Sequence, residues 1–299
     1  MTPPIASDLD RTLIYSRAAF DLTPGAPQPP VVCVELSDGA PMSFVTATAH
    51  DLLTTLADSG TLVPVTSRSV AQYQRITLPG KDSAFAICAN GGRLLVDGVE
   101  DWDYRAALEA DLNDACAPLG QVWDMLRAAS DERARVGNPL KTIRQADELF
   151  CYAVEWAEAD PVWVGKLDAA VAPLGWGVTQ QLRKVYLVPK VLTKVRALRE
   201  VAERTGAARV LAAGDAHPDV SILRYADEAI RPAHGELHQE GWHPPNLTVT
   251  SASGIAAGEE IAVWMLERLA CNPTGANDRA YPLARTADRQ TRSIATVTP

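Results

Sequence analysis

Two aspartates that stand two positions apart, Asp8 and Asp10, follow an apolar run at the start of the sequence. Residues 3–6 form that run, and a second one, Thr12-Leu13-Ile14, comes directly after the pair. This pattern is typical of a buried strand that presents acidic side chains at its carboxyl end. A lone pair of aspartates is also typical of a solvated turn, so the interpretation depends on partners elsewhere in the chain.

The segments that follow alternate between strands and helices. An Asp-Gly pair at 38–39 lies between two apolar runs and predicts a β-hairpin, which we expect to act as a flap over the acidic strand. Thr46 or Thr48 is expected to cap the next helix. An order of strand, helix and strand predicts a parallel α/β sheet. The predicted elements of this half cover residues 31–36, 42–46, 46–58, 61–65 and 84–89.

The pattern changes over residues 94–188, where helices and antiparallel strands replace the strand-helix alternation. We interpret this stretch as an α+β module inserted between two pieces of a parallel sheet. Thr193 is expected to cap a helix that returns the chain to the sheet and ends at Gly206. The predicted elements are helices over 103–135 (with a break at 118–120), 161–172, 193–206 and 257–269, and strands over 149–154, 177–180, 184–188, 209–213, 228–230 and 247–250.

Charge and composition exclude several classes of partner. The 299 residues include 37 acidic and 28 basic ones, and a net charge of −9 disfavours nucleic acid as a partner. A small anionic substrate needs only a local cationic pocket. Five scattered cysteines and the lack of a secretory or membrane-spanning run favour a cytoplasmic protein with no membrane partner. We expect either a monomer or a homodimer. Residues 272–299 are expected to form a disordered tail.

Polar side chains follow three of the predicted strands, and a lysine begins a predicted helix. Because the carboxyl ends of parallel strands meet at one edge of a sheet, we expect these side chains to lie together. Several carboxylates, one ammonium and a hydroxyl are what Mg²⁺-dependent phosphoryl transfer requires. The residues are Asp8, Asp10, Thr66, Ser67, Lys194, Asp215 and Asp219.

With these residues in this order, the chain resembles the haloacid dehalogenase (HAD) superfamily of phosphatases over nearly all of its length up to the tail. The resemblance implies that Asp8 is the nucleophile that forms an aspartyl-phosphate and that Asp10 is the general acid and then the base. It further implies that Thr66 binds a phosphate oxygen and that Lys194 neutralises charge, with Lys190 as the competing lysine. The four motifs are Asp8-Leu9-Asp10-Arg11-Thr12-Leu13, Thr66, Lys194, and Gly214-Asp215-Ala216-His217-Pro218-Asp219.

The resemblance also implies a metal and a set of binding residues. Mg²⁺ would be held by Asp8, Asp10 through its carbonyl, Asp215 and Asp219. The candidate residues for binding phosphate or substrate are Leu9, Arg11, Ser67, Arg68 and Asn90. The family usually has glycine at position 11 and asparagine at position 218, so Arg11 and Pro218 are departures from its pattern.

The long segment between Thr66 and Lys194 resembles the large α+β cap of one branch of the superfamily, which contains sucrose-phosphate phosphatases and also phosphomannomutases. Asn90-Gly91-Gly92 is similar to a turn at the entrance to that cap. The implied fold is a Rossmann-like parallel-sheet core over 1–92 and 186–271 with a cap over 93–185. Three cap residues, Arg144, Arg183 and Lys184, either meet an anionic or polyhydroxylated substrate or are solvated surface charges.

The implied function is a Mg²⁺-dependent phosphatase that acts on a small phosphorylated metabolite of the sugar-phosphate kind. Two alternatives stay open at this point. One is a phosphomutase of the same branch, which returns the phosphoryl group to the substrate. The other is a non-catalytic protein that binds a phosphorylated metabolite, although the intact pair Asp8 and Asp10 argues against it because a binding protein needs no acid or base.

Overall fold

The structure is a computed structural model that describes residues 3–22, 27–79, 83–157, 159–181 and 183–270. Cys271 and the predicted tail at 272–299 lie outside the described residues. The strands are β1 (Ile5–Ser7), β2 (Val31–Ser37), β3 (Ala40–Thr46), β4 (Leu62–Pro64), β5 (Phe85–Cys88), β6 (Arg93–Val96), β7 (Val99–Glu100), β8 (Thr142–Ala146), β9 (Phe150–Val154), β10 (Trp176–Gln181), β11 (Lys184–Pro189), β12 (Leu211–Ala213), β13 (Glu228–Arg231) and β14 (Leu247–Val249). The helices are α1 (Ala47–Ala57), α2 (Val70–Tyr73), α3 (Trp102–Ala115), α4 (Leu119–Arg135), α5 (Pro161–Val171), α6 (Lys194–Thr205), α7 (Val220–Tyr225), α8 (Glu236–Gln239) and α9 (Gly254–Ala270).

A five-stranded parallel sheet in the order β14-β13-β12-β1-β4 forms the core. Strand β1 lies inside the sheet, between β12 and the edge strand β4, and its successive side chains point to opposite faces. Ile5 packs with Leu53 of α1 and Ile261 of α9, whereas Ala6 packs with Leu198 of α6. Helices therefore cover both faces of the sheet, which confirms the predicted α/β core.

The hairpin β2-β3 was predicted correctly together with its turn. Ser37 pairs with Ala40, so Asp38 and Gly39 form a two-residue connection, and both have positive φ. The cap of α1 is Thr46, whose hydroxyl accepts from the amide of Ala49 at 3.0 Å.

The helix start at residue 194 is also as predicted, but the reason given for it is wrong. Thr193 occupies the N-cap position of α6, yet its side chain makes no capping hydrogen bond. Strand β8 and the hairpin β6-β7 were missed. Both belong to hairpins: Asp97 and Gly98 join β6 to β7, and a three-residue connection joins β8 to β9.

A separate antiparallel sheet has the strand order β10-β11-β9-β8. Side chains of alternate residues on β9 and β11, such as Cys151 and Val185, are buried with Leu126 of α4 and Leu167 of α5. The intervening residues point to the opposite face. This arrangement confirms that an α+β cap accompanies the parallel core.

Each of the two predicted domain boundaries cuts through a β-sheet. The boundary at 92/93 divides β5 from β6, where Cys88 pairs with Arg93, and the boundary at 185/186 lies inside β11. We therefore propose that the inserted unit runs from 101 to 190, between the N-cap of α3 and the end of β11. Over the described ranges, no helix combines the length and apolar character needed to cross a membrane.

Gly91 brings the predicted Asn90-Gly91-Gly92 turn against the start of α6. Its φ is +95°, and a Cβ at this position would clash with the backbone carbonyl of Thr193, directly before Lys194. Its own carbonyl accepts from the hydroxyl of Tyr104 at 2.5 Å. The turn and the helix start can approach this closely only because residue 91 lacks a side chain.

We expect Gly91→Ala to lower the free energy of unfolding by more than the ~1–3 kcal/mol that positive φ costs an L-residue, because the clash adds to that strain. Gly98→Ala is the matched control, since Gly98 also has positive φ (+78°) but has open space around its Cβ position. Urea denaturation of both variants measures the difference. Equal losses would show that the contact with Thr193 contributes nothing.

Candidate active site

A buried lysine joins two strand ends. Asp8 directly follows β1, and Lys194 is the first residue of α6. The Lys194 ammonium donates to Asp8 Oδ1 at 2.6 Å and to Asp219 Oδ1 at 2.5 Å, and only 2 % of its side chain is exposed. The competing Lys190 is exposed, with its Nζ 3.5 Å from the carbonyl of Ala172. Lys194 is therefore the lysine of this site.

Asp215 and Asp219 follow β12 and complete an acidic cluster. Asp219 Oδ2 accepts from the amides of Asp215 and Ala216 at 3.0 Å each, which fixes its orientation. Carboxylate oxygens of Asp8, Asp215 and Asp219 lie within 4.8 Å of one another, and all three residues are buried. Hard oxygen donors so close together are the ligands that Mg²⁺ prefers, so these residues fit the metal that the sequence implied.

The charges in this cluster do not balance. Burial and then Asp219 raise the pKa of Asp8 to about 7, although Lys194 lowers it. Burial, with Asp8 and Asp219, raises the pKa of Asp215 well above its ordinary value. Burial lowers the pKa of Lys194, but Asp219 and Asp8 outweigh burial and raise it. One ammonium thus faces three buried carboxylates, and a bound cation is the usual way to neutralise such an excess.

Thr66 and Ser67 lie at the carboxyl end of β4, beside Asp8. Thr66 is fully buried, and its hydroxyl accepts from the amide of Arg68 at 3.1 Å. The cap of the following helix α2 is Ser69, which accepts from the amide of Gln72 at 3.2 Å. Thr66 therefore does not cap helix α2.

Arg68 makes contacts that its sequence position did not suggest. Its guanidinium binds both carboxylate oxygens of Asp10, at 2.8 and 2.7 Å, and Nη1 lies 2.8 Å from Glu35 Oε1. Glu35, in β2 of the hairpin, is 3 % exposed and also accepts from Ser43 at 2.6 Å and from Arg75 at 3.1 Å. The hairpin thereby positions Arg68, and Arg68 holds the side chain of Asp10.

Glu35 was missed as a site residue. The signal for it was an acidic residue in an otherwise apolar strand, Val31-Val32-Cys33-Val34-Glu35-Leu36, which a buried ion pair would explain.

Arg11 lies between the two halves of the site. Its φ is +62°, a left-handed conformation that explains why a glycine suits this position. Its Nε is 3.4 Å from Asp215 Oδ2, so the side chain supplies a second cation to the acidic cluster. His234 Nε2 donates to the Arg11 carbonyl at 2.8 Å while Nδ1 accepts from the amide of Gly254 at 2.9 Å. His234, which sequence reasoning left out, thus holds the backbone of the acidic loop.

Two other predicted residues have less direct contacts. Leu9 is buried in the core, so only its backbone lies at the site. Asn90 donates from Nδ2 to the carbonyl of Leu192 at 3.3 Å, and its buried Oδ1 has no hydrogen-bond partner among the described residues. Asn90 therefore links the cap entrance to the loop before α6.

Two connected cavities lie above the cluster. The smaller, ≈ 170 Å³, is lined by Asp8, Lys194 and Asp215, and it shares Asp10 and Ser67 with the larger one. The larger cavity, ≈ 720 Å³, runs from the core to the antiparallel sheet of the cap. Its size suits a small organic ligand. The cap residues proposed from the sequence, Arg144, Arg183 and Lys184, all line it.

Glu35→Gln is expected to lower the free energy of unfolding at pH 7 by about 1–3 kcal/mol, because Arg68 and Arg75 lose a buried charged acceptor. Burial raises the pKa of Glu35, but Ser43 and Arg68 outweigh burial and hold it below its ordinary value of 4.5. This stabilisation is present above pH 4.5 and is lost as pH falls through the lowered value. Urea unfolding between pH 3 and 7 should show that the free energy of unfolding falls less at acidic pH in the variant than in the wild type. The same pH dependence in both proteins would contradict this.

No family model matches the sequence, and no curated protein matches it. Solved structures do resemble it. A sucrose-phosphatase from Synechocystis, in complex with sucrose and phosphate, has a TM-score of 0.59 at 15% identity, over 88% of this chain and 98% of the other. A HAD phosphatase from Bacteroides thetaiotaomicron has a TM-score of 0.53 at 14% identity, over 90% of this chain and 96% of the other. A trehalose-6-phosphate phosphatase related protein has a TM-score of 0.52 at 18% identity, over 89% of this chain and 98% of the other. The chain therefore has the fold of the HAD superfamily phosphatases.

Proposed function

We propose that this chain is a Mg²⁺-dependent phosphatase that hydrolyses a small phosphorylated metabolite through a covalent aspartyl-phosphate on Asp8. The observation that carries the proposal is the bond from the buried Lys194 ammonium to both Asp8 and Asp219, within a cluster of three carboxylates. This combination supports the roles of Asp8 as a nucleophile, of Lys194 as a fixed cation and of the three carboxylates as metal ligands.

The chemistry of the chain's own residues follows from their positions. Asp8 Oδ1 is bound to Lys194, whereas Oδ2 accepts a hydrogen bond from the Thr12 hydroxyl at 3.4 Å. Oδ2 attacks phosphorus, the bond from phosphorus to the leaving oxygen breaks, and Asp10 gives that oxygen a proton. Asp10 then takes a proton from a water whose oxygen attacks phosphorus, the bond from phosphorus to Asp8 Oδ2 breaks, and phosphate leaves with Asp8 restored. Asp10 is half exposed, so an oxygen can turn from Arg68 towards the leaving group.

The acidic cluster supports the metal part of the proposal. Asp8, Asp215 and Asp219, with the carbonyl of Asp10, would hold Mg²⁺, which when bound supplies positive charge to the phosphate oxygens. Thr66 and Lys194 would bind the remaining phosphate oxygens. We propose a sugar phosphate as the kind of substrate because the cleft is large and lined by Tyr152 and Tyr186, and because similar structures carry that description. The cytoplasmic location and the monomeric or homodimeric state remain predictions.

Asp8→Asn is expected to reduce phosphate release by at least about a thousandfold, because an amide cannot form the covalent intermediate. The assay is p-nitrophenyl phosphate with Mg²⁺, and treatment with EDTA should abolish the wild-type rate. Undiminished turnover in the variant would refute the mechanism. Conversion of a sugar phosphate to its isomer without released phosphate would instead indicate a phosphomutase.

Two lysines provide a matched control in the same assay. Lys194→Met should lose activity to a similar extent, since it leaves Asp8 and Asp219 without their shared cation. Lys190→Met, four residues earlier and exposed, should leave turnover within about twofold of the wild type, an effect of under about 0.5 kcal/mol. Circular dichroism of both variants shows whether a loss of activity reflects a loss of fold.

Arg11→Gly is expected to tighten Mg²⁺ binding several-fold, because it removes a cation 3.4 Å from Asp215. It should also raise the free energy of unfolding by up to about 1 kcal/mol, since glycine adopts positive φ without strain. Arg11→Lys keeps the charge and is the control. Isothermal titration with Mg²⁺ measures the affinity, and weaker binding in Arg11→Gly than in Arg11→Lys would contradict this account.

A further inference from the structure

One face of the antiparallel cap sheet forms a wall of the large cleft. On β9 and β11 the residues that alternate with the buried ones face the cleft, so Tyr152 and Tyr186 lie directly opposite each other across the two strands. Arg144 of β8 lies opposite Tyr152 on its other side, and Lys184 precedes Tyr186 by two residues on the same face. Two tyrosines and two cations thus occupy neighbouring positions on one surface.

The tyrosines connect this surface to the acidic site. The rings of Tyr152 and Tyr186 have centroids 5.3 Å apart, and the Lys184 ammonium lies 5.8 Å from the Tyr152 centroid. Burial, then Tyr152 and Asp10, raise the pKa of Tyr186, and its side chain lines the same cleft as Asp10. The wall therefore presents Tyr186 and the cations to the space that Asp10 borders.

The cations of this wall lack acidic partners. Among the described residues, Arg144, Arg183 and Lys184 form no ion pair, whereas Arg68 and Arg75 on the opposite wall both bind Glu35. Acidic side chains are not scarce in this chain, which has 37 of them against 28 basic ones.

Asp147 also lines the cleft; burial raises the pKa of its carboxyl, and Arg93 is the cation that lowers it. Three cations that line one cleft create a positive potential there, which favours an anion between them.

We infer that the cleft recognises a phosphomonoester whose organic part carries a second oxyanion, a carboxylate or a further phosphate, bound by Arg144, Arg183 and Lys184. This inference rests on the proposed phosphatase function, with the ester phosphate at Asp8 and Lys194. The cavity of ≈ 720 Å³ that joins Asp10 to the three cations has room for a chain of several carbons between the two anionic groups.

The test compares matched esters that differ in one oxyanion. The pairs are glycerol 3-phosphate with 3-phosphoglycerate, glucose 6-phosphate with 6-phosphogluconate, and fructose 6-phosphate with fructose 1,6-bisphosphate. We expect kcat/KM for the doubly anionic member of at least one pair to exceed that of its partner at least tenfold. Arg144→Met and Lys184→Met should each bring this ratio towards one, and 0.5 M salt should reduce it.

Lys166→Met is the control, because Lys166 is an exposed cap lysine on α5, away from the cleft, and should keep the wild-type ratio. Preference in every pair for the ester without the second oxyanion, or a ratio that Arg144→Met and Lys184→Met leave unchanged, would overturn the inference. Hydrolysis of p-nitrophenyl phosphate reports separately on the phosphatase function. If p-nitrophenyl phosphate is not hydrolysed either, the proposed phosphatase function is wrong, and this inference is wrong with it.

Discussion

The ammonium of Lys194, buried between Asp8 and Asp219, is the interaction on which the rest of the site depends. It joins the end of β1, the start of α6 and the loop after β12, which are far apart in sequence. Removing one partner of a buried ion pair leaves a charge without compensation, so the three segments can hold these positions only together. Gly91 contributes by allowing the cap entrance to pack against the backbone immediately before the lysine.

A second network extends the site outwards. Glu35 is carried by the hairpin β2-β3, and it fixes Arg68, whose guanidinium holds Asp10 at the rim of the cleft. The proposed nucleophile and the proposed general acid are therefore held differently. Asp8 is buried among fixed charges, whereas Asp10 is half exposed and bound by one side chain that can release it.

Much of the fold could be predicted from local patterns. The apolar runs of β1, β4 and β12 and the Asp-Gly turn of the hairpin are local signals, and the structure confirms them. The elements not predicted are β8, the hairpin β6-β7 and the short helices α2, α7 and α8. The Asp97-Gly98 turn of the hairpin is a local signal of the same kind as Asp38-Gly39 and was overlooked. The capping role expected of Thr193 is absent because α6 is positioned by Lys194 and by its packing on the sheet.

The sequence by itself determined the order of the polar strand ends, and hence that Asp8, Thr66 and Asp215 meet at one edge, because parallel strands share the direction of their carboxyl ends. Only the tertiary structure decided which side chains pair there. It assigned Arg68 to Asp10 and Glu35, and it gives the cations of the cap wall no ion pair within the part of the chain that it describes. Such pairings depend on distances between segments far apart in the chain, and no local pattern encodes those distances.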